Sequence, residues 1–149
     1  MLTDSQIIVR LVLSVILSGL IGFERQLHKR NAGLRTHILV ALGSCLIMLT
    51  SIYVFDIYKD IAKADPARIA AGVITGIGFL GAGTIIRDRE GVRGLTTAAS
   101  LWVVAGIGLA AGCGFLNASV YATVLALIVL FFLRYFESIV FNDDNDKQH

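Results

Sequence analysis

The stretch DPARIAAGVITGIGFLGAGTIIR, from Asp65 to Arg87, decides the fold. Between Ile69 and Ile86 it carries no ionisable residue, so as a helix it is long enough to cross the ~30 Å hydrocarbon core of a bilayer. Glycines crowd its middle, and each weakens a helix interior in water by roughly 1 kcal/mol relative to alanine. In lipid, unmade backbone hydrogen bonds would cost more, so we expect a helix that the surrounding membrane enforces.

The glycines of this stretch predict helix packing. They fall on two neighbouring stripes of the helix, and one pair has the four-residue spacing that lets membrane helices approach backbone to backbone. Grooves on two faces predict a helix enclosed by its neighbours, at the centre of the bundle. The packing residues are Gly72, Gly76, Gly78, Gly81 and Gly83.

The same glycines match the dinucleotide fingerprint, with Gly76, Gly78 and Gly81 at the required spacing. That motif has meaning only between a strand and a helix of a soluble βαβ unit, with an acid about 20 residues further on. Here it lies inside a membrane-length apolar run. We therefore do not expect nucleotide binding.

The composition predicts an all-α, polytopic membrane protein. Of the 149 residues, 56% are hydrophobic and only 16% are charged, which is more apolar surface than a soluble domain of this size needs. The apolar runs predict a five-helix transmembrane bundle occupying residues 1–136, followed by a short polar cytoplasmic tail at 137–149. The expected spans are about 7–23, 38–55, 69–86, 95–111 and 118–133.

Local signals predict where these spans begin, end and pack. Small residues give the first span a close-contact face near its end, at Ser18, Gly19 and Gly22. Asp65 is the expected N-cap of the third span, with Pro66 at the first helical position, and a short polar turn is expected at 87–93. The stretch GCG at 112–114 predicts the break before the fifth span, with Asn117 as the fresh N-cap.

Charge asymmetry predicts the orientation. With the N-terminus outside, nine cations lie in the cytoplasm and four outside, as the positive-inside rule requires. The nine are Arg25, Lys29, Arg30, Arg35, Arg87, Arg89, Arg93, Arg134 and Lys147; the four are Arg10, Lys59, Lys63 and Arg68. Five spans then place the C-terminus in the cytoplasm.

Unusual polar residues gather at the cytoplasmic ends of four spans, and these are the candidate binding residues. Glu24 is the only acid at the hydrocarbon edge on that side, so arginines from other helices are its expected partners. Such a buried set persists only if it is paired. It would serve either as a staple that fixes helix register or as a site for an anion, a lipid headgroup or a partner segment. The set is Glu24, Arg25, Arg35, Thr36, His37, Arg87, Thr96 and Thr97.

The sequence lacks the residues that metal, phosphate-binding and nucleophilic sites require. No Cys/His spacing suits zinc, no phosphate loop is present, and spans 2 to 5 contain no acid that could bind Mg²⁺. Cys45 and Cys113 lie at different depths, and no thiol or hydroxyl has an orienting base. We expect no enzyme activity, no metal site, no cofactor and no nucleic-acid partner.

Five blocks of sequence resemble the MgtC/SapB family, in the order that the family has them, over about residues 19 to 114. The blocks are GFERQ (22–26), AGLRTH (32–37), DPARIAA (65–71), GIGFLGAG (76–83) and GLTTAASLW (94–102). The resemblance implies a five-span protein of the bacterial inner membrane with a cytoplasmic C-terminus. Longer members carry a soluble domain after the fifth span, whereas here only a short tail follows, as in a SapB-type short form.

The resemblance also implies function: family members are linked to growth in low magnesium, to virulence and to inhibition of the F-type ATP synthase. Our preferred hypothesis is a non-enzymatic regulator that docks on another membrane protein, such as that synthase, through its small-residue faces; assembly into a homo-oligomer is left open. The alternative is a magnesium or other ion transporter or channel gated by Glu24, Arg35, Thr96 and Thr97. A purely structural scaffold is the third hypothesis.

Overall fold

The computed structural model describes residues 2–61, 65–89 and 91–133, and it contains five α-helices and one small hairpin. The helices are α1 (Asp4–Leu27), α2 (Leu34–Tyr58), α3 (Pro66–Thr84), α4 (Leu95–Cys113) and α5 (Leu116–Ile128), the last continued by a π-helical turn at Val129–Leu133. The first four are long and apolar enough to cross a membrane, and the shorter fifth apolar helix extends over Leu116–Phe132. The predicted all-α polytopic fold is confirmed. The tail at 137–149, together with Lys63, Arg134 and Lys147, lies outside the described residues.

Local signals fix where several helices begin and end. Asp65 caps α3 as expected, since its carboxylate accepts a hydrogen bond from the Ala67 N–H at 2.8 Å, and Pro66 follows at the first helical position. The glycine-rich break after α4 is also where the sequence predicts it, because Gly114 ends the helix with φ +91°. Asn117 does not cap α5, however, since the helix begins one residue earlier, after Phe115.

The helix at the centre of the bundle is α4, and the prediction that α3 occupies this place is wrong. Three clusters of buried apolar side chains form the core, and α4 contributes to every one of them. These α4 residues are Leu101, Val104, Ala105, Ile107 and Ala111. In α3 only Ala70, Ile77 and Gly81 are buried, so this helix packs along one narrow face.

Close packing between α2 and α4 explains why α4 is central. A methyl group placed on Gly108 would collide with the Ala41 carbonyl oxygen, and one on Gly112 would lie 2.7 Å from the Cys45 carbonyl oxygen. Two helices can approach this closely only where one of them has no side chain. Gly108 and Gly112 of α4 therefore set the close approach of this helix to α2.

The connection between α3 and α4 is a β-hairpin, where the sequence suggests only a short polar turn. Strand β1 (Ile86–Asp88) pairs antiparallel with β2 (Gly91–Arg93), with Ile86 opposite Arg93 and Arg87 opposite Val92. Both strands are exposed throughout.

Candidate functional site

A buried polar cluster lies at the end of the bundle where α1 ends, α2 begins and α4 begins. We call it the rim cluster; it consists of Glu24, Arg25, His28, His37, Thr97 and Ser100. All of these side chains are buried except that of His28, which is partly exposed. In a helical bundle this apolar, buried polar groups need partners, so their hydrogen bonds define what the cluster can do.

Glu24 takes its partners from its own helix and the residues just after it. Its Oε1 lies 2.8 Å from Nδ1 of His28, and its Oε2 lies 3.4 Å from Nε of Arg25. Oε2 is buried and accepts no hydrogen bond within the described residues, and the Glu24 side chain as a whole is only 2% exposed. Its contact with Arg25 is therefore the only interaction that the described residues give this oxygen. The Arg25 guanidinium and the His28 imidazole thus hold the carboxylate in place.

His37 joins α2 to α4 at the same level. Its Nδ1 lies 2.9 Å from the Gly33 carbonyl oxygen, which can only accept, so this nitrogen carries a hydrogen. Its Nε2 lies 3.0 Å from the Ser100 hydroxyl, which also lies 2.8 Å from the Thr97 carbonyl oxygen. With both ring nitrogens bonded and no exposed surface, His37 acts as a fixed bridge between the two helices.

Gly22 allows α1 and α2 to come close enough to form the cluster. A methyl group there would lie 2.9 Å from the His37 Cβ and 2.9 Å from the Leu34 Cα. The missing side chain lets α1 approach the first turn of α2, which brings the level of Glu24 next to that of His37. The sequence predicts this close-contact face near the end of the first span.

The structure brings together only half of the predicted binding residues. Glu24, Arg25, His37 and Thr97 are buried in the rim cluster, whereas Arg35, Thr36, Arg87 and Thr96 are exposed around it. The expected pairing of Glu24 with arginines of other helices is replaced by the pairing with Arg25 and His28. Two members of the cluster were not predicted. Four-residue spacing from Glu24 could have identified His28, and three-residue spacing from Thr97 could have identified Ser100.

The rim cluster contains one carboxylate, that of Glu24, and this group is already paired with Arg25 and His28. Within the described residues no group of three His, Cys, Asp or Glu side chains could hold a metal ion. Serine and histidine are adjacent, but the Ser100 hydroxyl is buried and already bonded to the helix backbone, so a substrate could not reach it. The arrangement fits a staple between helices better than a catalytic centre.

A second candidate site is the outer side of α3, which we call the glycine face: Gly72, Gly76 and Gly83 with the flanking Phe79 and Leu80. A methyl group placed on any of these three glycines would meet nothing within 4 Å, and the same holds for Gly78. Only Gly81 packs inside the chain, 3.7 Å from the Cβ of Ala98. Four of the five predicted packing glycines therefore have no neighbour in the described residues.

The glycine face has the shape of a helix-docking surface, a groove with a larger side chain on each side. Gly72, Gly76 and Gly83 align on the side of α3 roughly opposite its buried residues. Phe79 and Leu80 follow Gly76 by three and four residues, so they form walls beside the groove, and Phe79 is 83% exposed.

Comparison with known proteins identifies relatives over nearly the whole chain. The family model described as "MgtC family" matches residues 11–139. The chain is 44% identical to "Putative magnesium transporter YhiD" of Escherichia coli K12 over 97% of its own length and 67% of that protein. It is also 44% identical to "Protein MgtC" of Salmonella typhimurium LT2, over 85% of its own length and 52% of that protein. The chain thus spans between half and two thirds of these relatives, and no solved structure matches it.

Proposed function

Because this chain belongs to the MgtC family, we propose that it is a non-enzymatic regulator that docks on another membrane protein through the glycine face of α3. The resemblance makes the F-type ATP synthase the first partner to test. The observation that carries the proposal is a groove of three aligned glycines, walled by Phe79 and Leu80, that no other part of the described residues fills. Such grooves bring membrane helices together by close packing of their backbones.

Glycines are unfavourable in a helix that faces only lipid, so their presence on this face supports a role in contacts outside the bundle. Glycine contributes neither core packing nor helix propensity, so alanine or leucine would suit a surface that faced only lipid. Gly108 and Gly112 of α4 have an evident internal reason, since a side chain at either position would collide with α2. For Gly72, Gly76 and Gly83, an external helix supplies the equivalent reason.

The decisive experiment is affinity isolation of the tagged protein from native membranes, comparing Gly76→Leu with Gly106→Leu. Gly106 is a matched control, because a methyl group there also meets nothing within 4 Å but lies on α4. We expect a defined membrane complex with the wild type and with Gly106→Leu, and its loss with Gly76→Leu. Failure to recover any complex, or equal recovery with both variants, would refute docking through this face.

Orientation is part of the proposal. The excess of cations at the end holding the rim cluster favours a bacterial inner-membrane protein with its N-terminus outside and its C-terminus in the cytoplasm. Attaching a reporter that is active only in the cytoplasm to each terminus tests this placement. Activity at the N-terminal fusion would contradict it.

Transport of magnesium or another ion is the second candidate, favoured by the name of the Escherichia coli relative and by the buried carboxylate of Glu24. Against it, the groove of about 330 Å³ between α2 and α3 is lined by apolar residues and Ser44, which offer a hard cation too few oxygens. Flux into liposomes containing purified protein, measured with Mg²⁺ and H⁺ indicators, separates the candidates. Flux that Glu24→Gln abolishes would establish transport.

A further inference from the structure

The hairpin between α3 and α4 is exposed, and no other part of the described residues packs over it. Ile86 and Val92 are 52% and 50% exposed, and Arg87, Arg89 and Arg93 are exposed as well. A two-stranded ribbon with strands of three residues is at best marginally stable in water by itself. The hairpin therefore depends on contacts beyond its own strand pairing.

Its base is fixed to the helices by Gly94. This residue has φ +92°, and a methyl group there would collide with the Thr84 carbonyl oxygen at the end of α3. The end of α3 and the start of α4 therefore meet closely, and the hairpin begins directly at this junction. Because it connects two membrane-length helices at their ends, it lies at the level where hydrocarbon gives way to lipid headgroups.

Apolar and basic side chains share the levels of the hairpin. Ile86 is paired with Arg93 next to the helices, Val92 is paired with Arg87 one step further out, and Arg89 lies at the turn. Arg93 is 3.7 Å from Asp88, whereas Arg87 and Arg89 have no ion-pair partner among the described residues. At the same end of the bundle, the loop between α1 and α2 adds exposed Lys29 and Arg30, and the first turn of α2 adds exposed Arg35.

We infer that the hairpin is a docking surface for anionic phospholipid of the adjacent leaflet. The arginines bind headgroup phosphate, which planar guanidinium groups match in geometry and charge. Ile86 and Val92 enter the region just below the headgroups, as apolar groups next to a basic patch do at membrane surfaces. This inference is independent of the glycine face and of any protein partner.

The test measures phospholipid binding to the purified full-length protein in neutral detergent by native mass spectrometry, with phosphatidylglycerol and phosphatidylcholine as probes. Arg87→Gln/Arg89→Gln is compared with Lys59→Gln/Arg68→Gln, which removes the same charge at the opposite end of the bundle. We expect the hairpin variant to weaken phosphatidylglycerol binding about 30-fold at low salt and the control to change it less than twofold. Phosphatidylcholine binding should be the same in all proteins.

A second variant, Ile86→Ser/Val92→Ser, keeps every charge and tests insertion. We expect it to weaken phosphatidylglycerol binding about tenfold, because the apolar contribution is lost. Equal losses in the hairpin and control charge variants, no loss in Ile86→Ser/Val92→Ser, or displacement of the lipid by millimolar inorganic phosphate would each overturn the inference. Circular dichroism of every variant verifies that the helices remain folded.

Discussion

Helices α3 and α4 have the same length and comparable numbers of small residues, yet they occupy opposite positions in the molecule. Half of the most apolar stretch of α4 is buried, against 17% of that of α3. Each contains the triplet Gly-Ile-Gly, at 76–78 and 106–108, and in each the isoleucine is buried. The glycine that follows differs: Gly108 is pressed against α2, whereas Gly78 is open.

This difference shows that a glycine-rich membrane helix has two distinct physical meanings. In α4 the missing side chains are used inside the chain, where they set the distance to α2. In α3 the same residue type leaves a groove that the rest of residues 2–61, 65–89 and 91–133 does not fill. Substitutions can therefore separate stability from association, since the first depends on α4 and the second, as we propose, on α3.

The largest expected effect is that of Gly108→Val. The added side chain would force α2 and α4 apart, and overpacking of this kind costs about 3 kcal/mol in the free energy of unfolding. Unfolding of the purified protein by sodium dodecyl sulfate in mixed micelles measures the change. Gly78→Val, in the corresponding triplet of α3, is the matched control and should shift the free energy by less than about 0.5 kcal/mol. Equal destabilisation by the two variants would remove the distinction between the helices.

A smaller effect is expected at the connection that ties α3 to α4. Gly94→Ala combines a strained positive φ with the collision against Thr84, and we expect a loss of about 2 kcal/mol. Gly91→Ala is its control, because Gly91 has φ +133° but open space around it. Hydrogen exchange at the amides of 86–93 should accelerate more in Gly94→Ala. Identical exchange in both variants would show that the close approach to Thr84 contributes nothing.

The smallest expected effect concerns the bridge that holds α2 to the central helix. A double-mutant cycle of His37→Ala and Ser100→Ala should give a coupling energy of about 0.6 kcal/mol, typical of hydrogen bonds between membrane helices. A cycle of His37→Ala with Thr36→Ala serves as the reference, since Thr36 is exposed whereas Ser100 is buried against His37. Additive effects in the first cycle would mean that the His37–Ser100 contact does not stabilise the helix pair.

What the sequence predicted well depends on local interactions. The cap at Asp65, the break at Gly114 and the five apolar helices each follow from neighbours in the chain. The close approach at Gly22 was also predicted, because small residues there coincide with the end of a span.

What the sequence did not predict depends on which faces meet. Glycines look the same whether their neighbour is inside the chain or outside it, so the sequence predicts α3 at the centre instead of α4. Arg35 is exposed on the first turn of α2 and Arg87 is exposed on the hairpin, and Glu24 pairs with Arg25 and His28 instead. Strands of three residues are too short for a periodic signal, so the sequence predicts only a turn where the hairpin lies.

The most direct test of the central claim is photo-crosslinking in native membranes from the wall of the glycine face. Benzoylphenylalanine replaces Phe79 in one protein and Phe132, which is 66% exposed on the turn after α5, in the other. We predict a discrete adduct with another membrane protein from position 79 and none from position 132. Absence of any protein adduct from position 79, or the same adducts from both positions, would contradict the claim that α3 presents a docking surface.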